Sequence, residues 1–388
     1  MAGLHILKYM DNLSDEEVCR RWLENPYYQY FCGEEFFTHE LPLDRSSLTR
    51  WRQRMGDERL EVLLQESLSV AVRTGAAKPS DFTQVIVDTT VGPKNVAFPT
   101  DAKRVYRARE HLVKRARKQG VKLRQSYIRK AKTALIKHQR YAHARQYKRA
   151  RRELKSLKTW LGRVERDIRR KIKGDEALQD IFRRPLFLAE CVRTQKPREK
   201  DNPFPKVYAL HAPEVECIGK GKAHKPYEFG VKVSVATTVK HSKGGQFAIH
   251  AKALPGRPYD GHTLKTIIPD IEAMTGATLT RILTDAGYRG HKLSSPYKFR
   301  VFTAGQKRRV TPQIRKQMRR RSAVEPVIGH LKQGHRLDRN YLAHRQGDAI
   351  NPILAAAGYN FRLIQKWIRH LWLYFWNRLK SFNRWTAA

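Results

Sequence analysis

Glu325 is the lone acidic residue between Asp285 and Asp338, in a strongly basic stretch of the chain. From 286 to 324 there are 12 Lys/Arg and no Asp or Glu, ending in Arg319, Arg320 and Arg321. A carboxylate that only decorated a surface there would be neutralised by its neighbours. As a ligand for a metal ion that also touches nucleic-acid phosphate, it has a use for them. Two other acids stand where such a site needs them, Asp88 in VIVDTT and Asp285 in ILTDAGYRG. Each is expected to end a short hydrophobic strand, so both carboxylates should emerge from rigid elements at a sheet's edge. Hard oxygen ligands of this kind suit Mg²⁺ or Mn²⁺. Two such ions roughly 4 Å apart could activate a nucleophile and stabilise the leaving oxygen of an in-line phosphoryl displacement.

The elements that would position these acids can be read from periodicity. Gln84 to Val87 is a short β-branched strand running into Asp88, and Thr280 to Thr284 a second one running into Asp285. Phe229, Val231, Val233 and Val235 alternate with polar or small residues, the period of a half-buried strand. GQFAIHAKAL is its expected pairing partner, with the turn at Gly244 and Gly245. Leu264 to Met274 reads as a helix, as do Thr311 to Arg321, Val327 to Lys332 and a long segment from Asp348 to Lys380.

Residues 1 to 80 read as helical. Ser14 and Glu17 form a capping-box pattern, SLTRWRQRM a second helix, and Arg59 to Arg73 a third, ended by Gly75. Three such helices suit either a helix-turn-helix-like module or a small bundle that supports the next domain.

Between the first strand and the next, the composition changes sharply. Residues 103 to 173 carry 28 Lys/Arg against 4 Asp/Glu, more than half of the chain's net charge of +42, and contain no proline. Val113, Val121, Ile128, Leu135, Leu154, Leu157, Leu161 and Ile168 are spaced for an apolar stripe, so a helical hairpin with basic faces is expected. A solvated helix face would mix both signs; one sign here dominates seventy residues. A polyanionic partner explains such an excess, nucleic acid before an acidic membrane surface.

Four cysteines, Cys19, Cys32, Cys191 and Cys217, match no finger spacing and read as incidental thiols of a reducing compartment. The longest apolar run, 371 to 376, is far short of the roughly 18 residues a membrane-spanning helix needs. The expected location is cytoplasmic and nucleoid-associated.

The motif DAGYRG (Asp285 to Gly290), followed by Arg321, three residues, Glu325, six residues and Lys332, resembles the signature of bacterial insertion-sequence DDE transposases of the IS-five (InsH-like) family. VIVDTTVGPKNVAFPTDAK, HAPEVECIGKGKAHKPYEFGVKV and LPGRPYDGHTL are similar to that family's first-aspartate and middle blocks, and the N-terminal helices to its N-terminal domain. The resemblance implies a mixed α/β fold with an RNase H-like catalytic core. That core would span 81–388, interrupted by a basic helical insertion at 103–200 and ending in helices over 311–388, behind a helical DNA-binding or assembly domain at 1–80. It implies a catalytic and metal-binding triad of Asp88, Asp285 and Glu325 with two Mg²⁺ (or Mn²⁺) ions. The activity would be cleavage at the element's terminal inverted repeats, then attack of the freed 3′-hydroxyl on double-stranded target DNA, by a homodimer or higher oligomer.

Arg321 and Lys332 are candidate phosphate contacts, as are Lys222, Lys225, Lys232 and Arg289. Asp260 and His262 in PYDGHTL are candidates to support the metal ligands, although Asp260 equally suits a helix cap. Trp367, Trp372 and Trp376 recur at helical spacing, which favours packing over base stacking. Two positions depart from the family pattern. Met318 stands where the family often has Tyr, and Pro326 follows Glu325, so either the helix kinks there or a new one starts with Pro326 at its first position. A metal-dependent nuclease without strand transfer, or a non-catalytic DNA-binding regulator, are the alternative functions.

Overall fold

The computed structural model describes residues 1–195, 206–221, 223–224 and 226–385, with side chains to residue 378. It divides into two compact units, one of residues 1–95 and 218–388, the other of residues 96–217. In the first unit the helices α1 (Ala2–Met10), α2 (Asp15–Glu24), α3 (Pro26–Phe31) and α4 (Ser46–Arg73) precede the sheet. Ser14 Oγ accepts from Glu17 N at 3.0 Å, so the predicted cap opens α2. The two predicted helices at 48–73 are joined through Gly56, whose φ of 71° and ψ of 179° break the helical path. That conformation is open to glycine and strained for other residues.

β1 (Gln84–Pro93) is ten residues long, so Asp88 lies mid-strand rather than at a strand end. The β-branched Thr89, Thr90 and Val91 carry the extended backbone past it. On one side β1 pairs antiparallel with β3 (Tyr227–Thr238), which pairs antiparallel with β4 (Ala248–Leu254), as the alternating valines and GQFAIHAKAL require. On the other side β1 runs parallel to β5 (Arg281–Thr284), which runs parallel to β6 (Val301–Thr303). The order is therefore β4, β3, β1, β5, β6; a further short strand, β2 (Glu216–Gly219), spans the boundary between the units. β6 has only three residues, too few for any periodic signal, and was not predicted.

The two faces of the sheet bury different side chains. Val85, Val87 and Ile282 pack with Leu264, Ile267 and Ile271 of α9 (Asp260–Thr275). Ile86 and Leu283 pack on the opposite face with Ile314 of α10 (Pro312–Arg319) and Val324 of α11 (Val324–Gly334). α12 (His344–Trp385) packs its buried first half against α1, α4 and β4. A buried ion pair fixes its start to the end of β1: Lys94 Nζ lies 2.8 Å from Asp348 Oδ1, which also accepts from Asn340 Nδ2 at 2.8 Å.

The second unit is a bundle of four helices rather than the hairpin the apolar stripe suggested: α5 (Asp101–Lys118), α6 (Ile128–His143), α7 (Tyr147–Lys171) and α8 (Glu176–Thr194). Leu157, Leu161 and Ile168 of the stripe are buried with Leu112, Phe182 and Leu186. Ile128, at the start of α6, is 44% exposed. The fourth helix lies beyond the basic run, where hydrophobic content rises again.

The Lys94–Asp348 pair generates a stability prediction. Lys94→Met strands a buried carboxylate and should cost about 3–5 kcal/mol in urea unfolding, whereas Lys94→Met with Asp348→Leu should recover a large part of it. Equal losses in both variants would show that the pair is not what ties α12 to β1.

Candidate active site

Strand register brings two of the predicted acids together. Ile86 of β1 is paired with Leu283 of β5 in parallel register. Two residues further along each chain, on the same face, stand Asp88 and Asp285. Neighbouring strands lie about 4.8 Å apart, so the two carboxyls stand side by side at the carboxyl end of a parallel pair. β1 is also where the sheet changes from antiparallel to parallel neighbours, the place in open sheets where ligand crevices form.

Local bonding holds each carboxylate. Asp285 Oδ1 accepts from Gly287 N at 2.9 Å, capping the single turn Ala286–Tyr288. A methyl on Gly287 would lie 3.1 Å from Asp285 Oδ1 and 3.7 Å from Asp260 Oδ2, so those two carboxylates flank the space over the glycine. Asp88 Oδ1 accepts from Thr89 N at 2.7 Å. Burial pushes the Asp88 carboxyl up to about 6; the Thr89 N–H and the Arg321 charge oppose that rise, while Asp285 and Asp260 add to it.

Asp260 belongs to this group rather than standing as the cap: it is the first residue of α9, whose N-cap position is Tyr259. Its Oδ1 accepts from Thr89 Oγ1 at 3.0 Å and lies 2.7 Å from Lys232 Nζ. Because Thr89 points to the face opposite Asp88, Asp260 reaches the strand from the α9 side. Tyr288 was quoted in the motif but not singled out. It is fully buried, with its hydroxyl near the Thr89 side chain. Burial, then the Asp260, Asp88 and Asp285 charges, hold that hydroxyl well above its ordinary value. A buried tyrosine within the field of three carboxylates was visible only once the fold had assembled them.

Glu325 is exposed on the first turn of α11. The adjacent Val324 is buried against Ile86 and Leu283, so α11 covers the sheet face from which Asp88 and Asp285 project. Glu325 is not drawn in to the pair: among the described residues no group of three or more His, Cys, Asp or Glu could hold a metal ion. Pro326 is the third residue of α11, preceded by the 3-10 turn Arg320–Ala323. Neither predicted arrangement of that proline is met. The first turn of a helix leaves its N–H groups without intrahelical partners, so a proline there breaks no bond. Arg321 lies in the 3-10 turn, half-buried, with its charge acting on Asp88.

The remaining candidates are placed as follows. Lys232, besides Asp260, donates to Pro258 O at 2.9 Å. Lys332 Nζ lies 3.8 Å from Glu228 Oε2. Arg289 is exposed and donates to Ala304 O at 3.0 Å, strapping the end of β6. His262 is exposed, its ring edge-on to Tyr259 at 5.2 Å, and makes no contact with the carboxylates. Lys222 and Lys225 lie outside the described residues. In the second unit a hollow of about 520 Å³ is lined by Arg124, Arg163, Arg166, Arg169 and Arg170. Its one acid, Asp167, already accepts from Arg124 N at 2.8 Å and pairs with Arg170 at 3.2 Å.

Residues 189–361 match a family profile described as Transposase DDE domain, and residues 1–54 match one described as Transposase domain (DUF772). The chain belongs to the DDE transposases. It is similar to "Uncharacterized protein ORF8 in nfe locus" of Rhizobium meliloti, 54% identical over 147 residues that make up 38% of this chain and 71% of that protein. No solved structure matches it. The transposase is an enzyme of DNA cleavage and transfer that depends on a divalent metal. Its donor set fits such an ion: Asp88 and Asp285 supply neighbouring hard oxygens, and their mutual repulsion, which adds to the rise of the Asp88 carboxyl, is what a bound cation would relieve. No helix among the described residues is long and apolar enough to cross a membrane.

The raised Asp88 carboxyl gives a pH dependence. An ordinary aspartate titrates near 4, so the folded protein binds this proton more tightly than the unfolded chain. The resulting stabilisation is complete below about pH 4 and is lost as pH rises through about 6. With partial exposure discounted, the loss should be roughly 1–2 kcal/mol in metal-free buffer. Asp88→Asn should flatten it in thermal melts from pH 4 to 7. An unchanged slope in that variant would contradict the assignment.

Proposed function

We propose that Asp88, Asp285 and Glu325 are the catalytic triad of a transposase of the IS-five (InsH-like) group, in an RNase H-like core. The parallel register of β1 with β5, which sets mid-strand Asp88 beside Asp285 just past the end of β5, carries this reading. The strand order, with its change from antiparallel to parallel at β1, and the seating of α11 over the same face support it. Mg²⁺, or Mn²⁺ in its place, is the ion proposed, and Asp88, Asp285 and Glu325 are the residues that would hold two of them. When bound, such ions activate an attacking oxygen and take up charge on the leaving one.

The chain's own residues do the rest. Asp88 and Asp285 give fixed oxygens on the sheet. Glu325, at the start of a helix and open to solvent, would be the third ligand. Arg321, half-buried and facing Asp88, holds a phosphate oxygen at the reacting strand. Asp260 anchors the site through Thr89, and its pairing with Lys232 limits what its charge adds to the repulsion at Asp88. The enzyme binds the terminal inverted repeats of its element, cleaves them, and joins the freed 3′-hydroxyl to target DNA, working as a homodimer or larger assembly. The arginine-lined hollow on α7 is proposed to bind DNA phosphate; the opposing acid there is already occupied, leaving the guanidinium charges for an outside anion.

Asp285→Ala and Glu325→Ala should each lower Mg²⁺-dependent strand cleavage at least about 1,000-fold while binding of inverted-repeat DNA stays within a few-fold of wild type. Retained cleavage in either variant would overturn the triad. A joining assay with pre-cut 3′-hydroxyl ends should give strand-transfer product, and cleavage without joining would mark a nuclease instead.

A further inference from the structure

Two exposed aromatic surfaces of opposite charge remain outside the catalytic reading. The first lies near the N-terminus. Residues 24–44 carry Glu24, Glu34, Glu35, Glu40 and Asp44 with no Lys or Arg, in a chain whose net charge is +42. Within this stretch Tyr27 is 82% exposed, Tyr30 79% and Phe36 81%. These rings stand on a fixed framework. The buried Gln29 donates to Trp22 O at 3.1 Å and to Thr38 O at 2.8 Å, and its Oε1 accepts from Thr38 N at 2.8 Å. The loop is thereby clamped with its aromatic residues outward.

The second surface is the end of α12. Trp367 is the last of the three spaced tryptophans to reach the core, its Nε1 donating to Thr74 O at 3.0 Å. Beyond it the helix leaves the body. Trp372 is 62% exposed and Phe375 61%, and Trp372 stacks on Trp376 at 5.5 Å rather than on anything across the fold. The packing expected for these tryptophans is thus met at Trp367 and not at the other two. No acid follows Asp348 in the sequence, whereas Lys366, Arg369 and Arg378 are exposed on this segment.

Exposed apolar surfaces of this extent mark docking sites. An acidic aromatic surface repels nucleic acid and calls for a basic partner. The chain itself carries one of matching character. We infer that the projecting end of α12 docks on the acidic aromatic surface around Tyr27, Tyr30 and Phe36 of a second copy of the chain. Each aromatic ring covered removes about 150–250 Å² from water, and the charges on the two surfaces set which face meets which. The contact joins two different surfaces, so a closed dimer makes it twice, once in each direction. This inference rests on the proposed action of the enzyme as a multimer, and names the surfaces that build it.

Sedimentation equilibrium of the DNA-free protein tests the contact separately from catalysis. Wild type should associate at micromolar concentration. Trp372→Ser with Phe375→Ser should weaken association at least about tenfold, as should Glu35→Arg with Glu40→Arg, with circular dichroism unchanged because all four side chains are exposed. Mixing the two variants should restore part of the association through the one intact contact. Adding Arg369→Glu and Arg378→Glu to the Glu35→Arg, Glu40→Arg chain should restore it through reversed charges. A monomeric wild type, or association that neither set weakens, overturns the inference. So does a loss of DNA affinity in the α12 variant without loss of association, which would make the helix end a nucleic-acid contact. Association that survives in Asp285→Ala while cleavage is lost keeps this contact distinct from the triad.

Discussion

Like charges held together by strand register are the constraint on which this structure turns. Parallel pairing of Ile86 with Leu283 leaves Asp88 and Asp285 nowhere to go but beside one another. Asp260 is added from the other side of β1 through Thr89. Burial and mutual repulsion then keep Asp88 protonated to about 6, a cost the fold would not carry for packing alone. A cation between the acids reverses the sign of that interaction. In a chain of net charge +42, Asp260 is paired with Lys232, whereas the Arg321 charge only partly offsets the rise at Asp88.

The surrounding elements keep that arrangement rigid and one-sided. Val85, Val87 and Ile282 fasten the sheet to α9, so the first residue of α9 reaches Thr89, the neighbour of Asp88. Ile86 and Leu283 fasten the opposite face to α11 through Val324, one residue before Glu325. Lys94 and Asp348 tie the far end of β1 to α12. Each connection is a packing or pairing contact made by residues other than Asp88 and Asp285.

Asp88 and Asp285 stood out in the sequence because each follows a β-branched run, and strand register does set them beside one another. Glu325 stood out as a lone glutamate among arginines, but it lies exposed on α11, apart from the pair. The β3–β4 pair was legible from the alternation of Val231, Val233 and Val235, since period-two burial is a local property. What escaped prediction depended on partners far along the chain. Asp260 read equally well as a cap because its true partners, Thr89 and Lys232, are decided by tertiary contacts. Tyr288 acquires meaning only when three carboxylates surround it. The length of β1 was underestimated because an aspartate was taken to end a strand that β3 pairs straight through, at Asp88 with Val235. In the basic unit, one apolar stripe could not show how many helices would share it, and the fourth helix came from beyond the charge run.

Crystals soaked in Mn²⁺ and measured at the manganese absorption edge test the central claim most directly. The account predicts an anomalous peak between the carboxyl groups of Asp88 and Asp285, absent in Asp285→Asn crystals treated in the same way. Manganese bound only elsewhere, or a peak that persists unchanged in the variant, would contradict it.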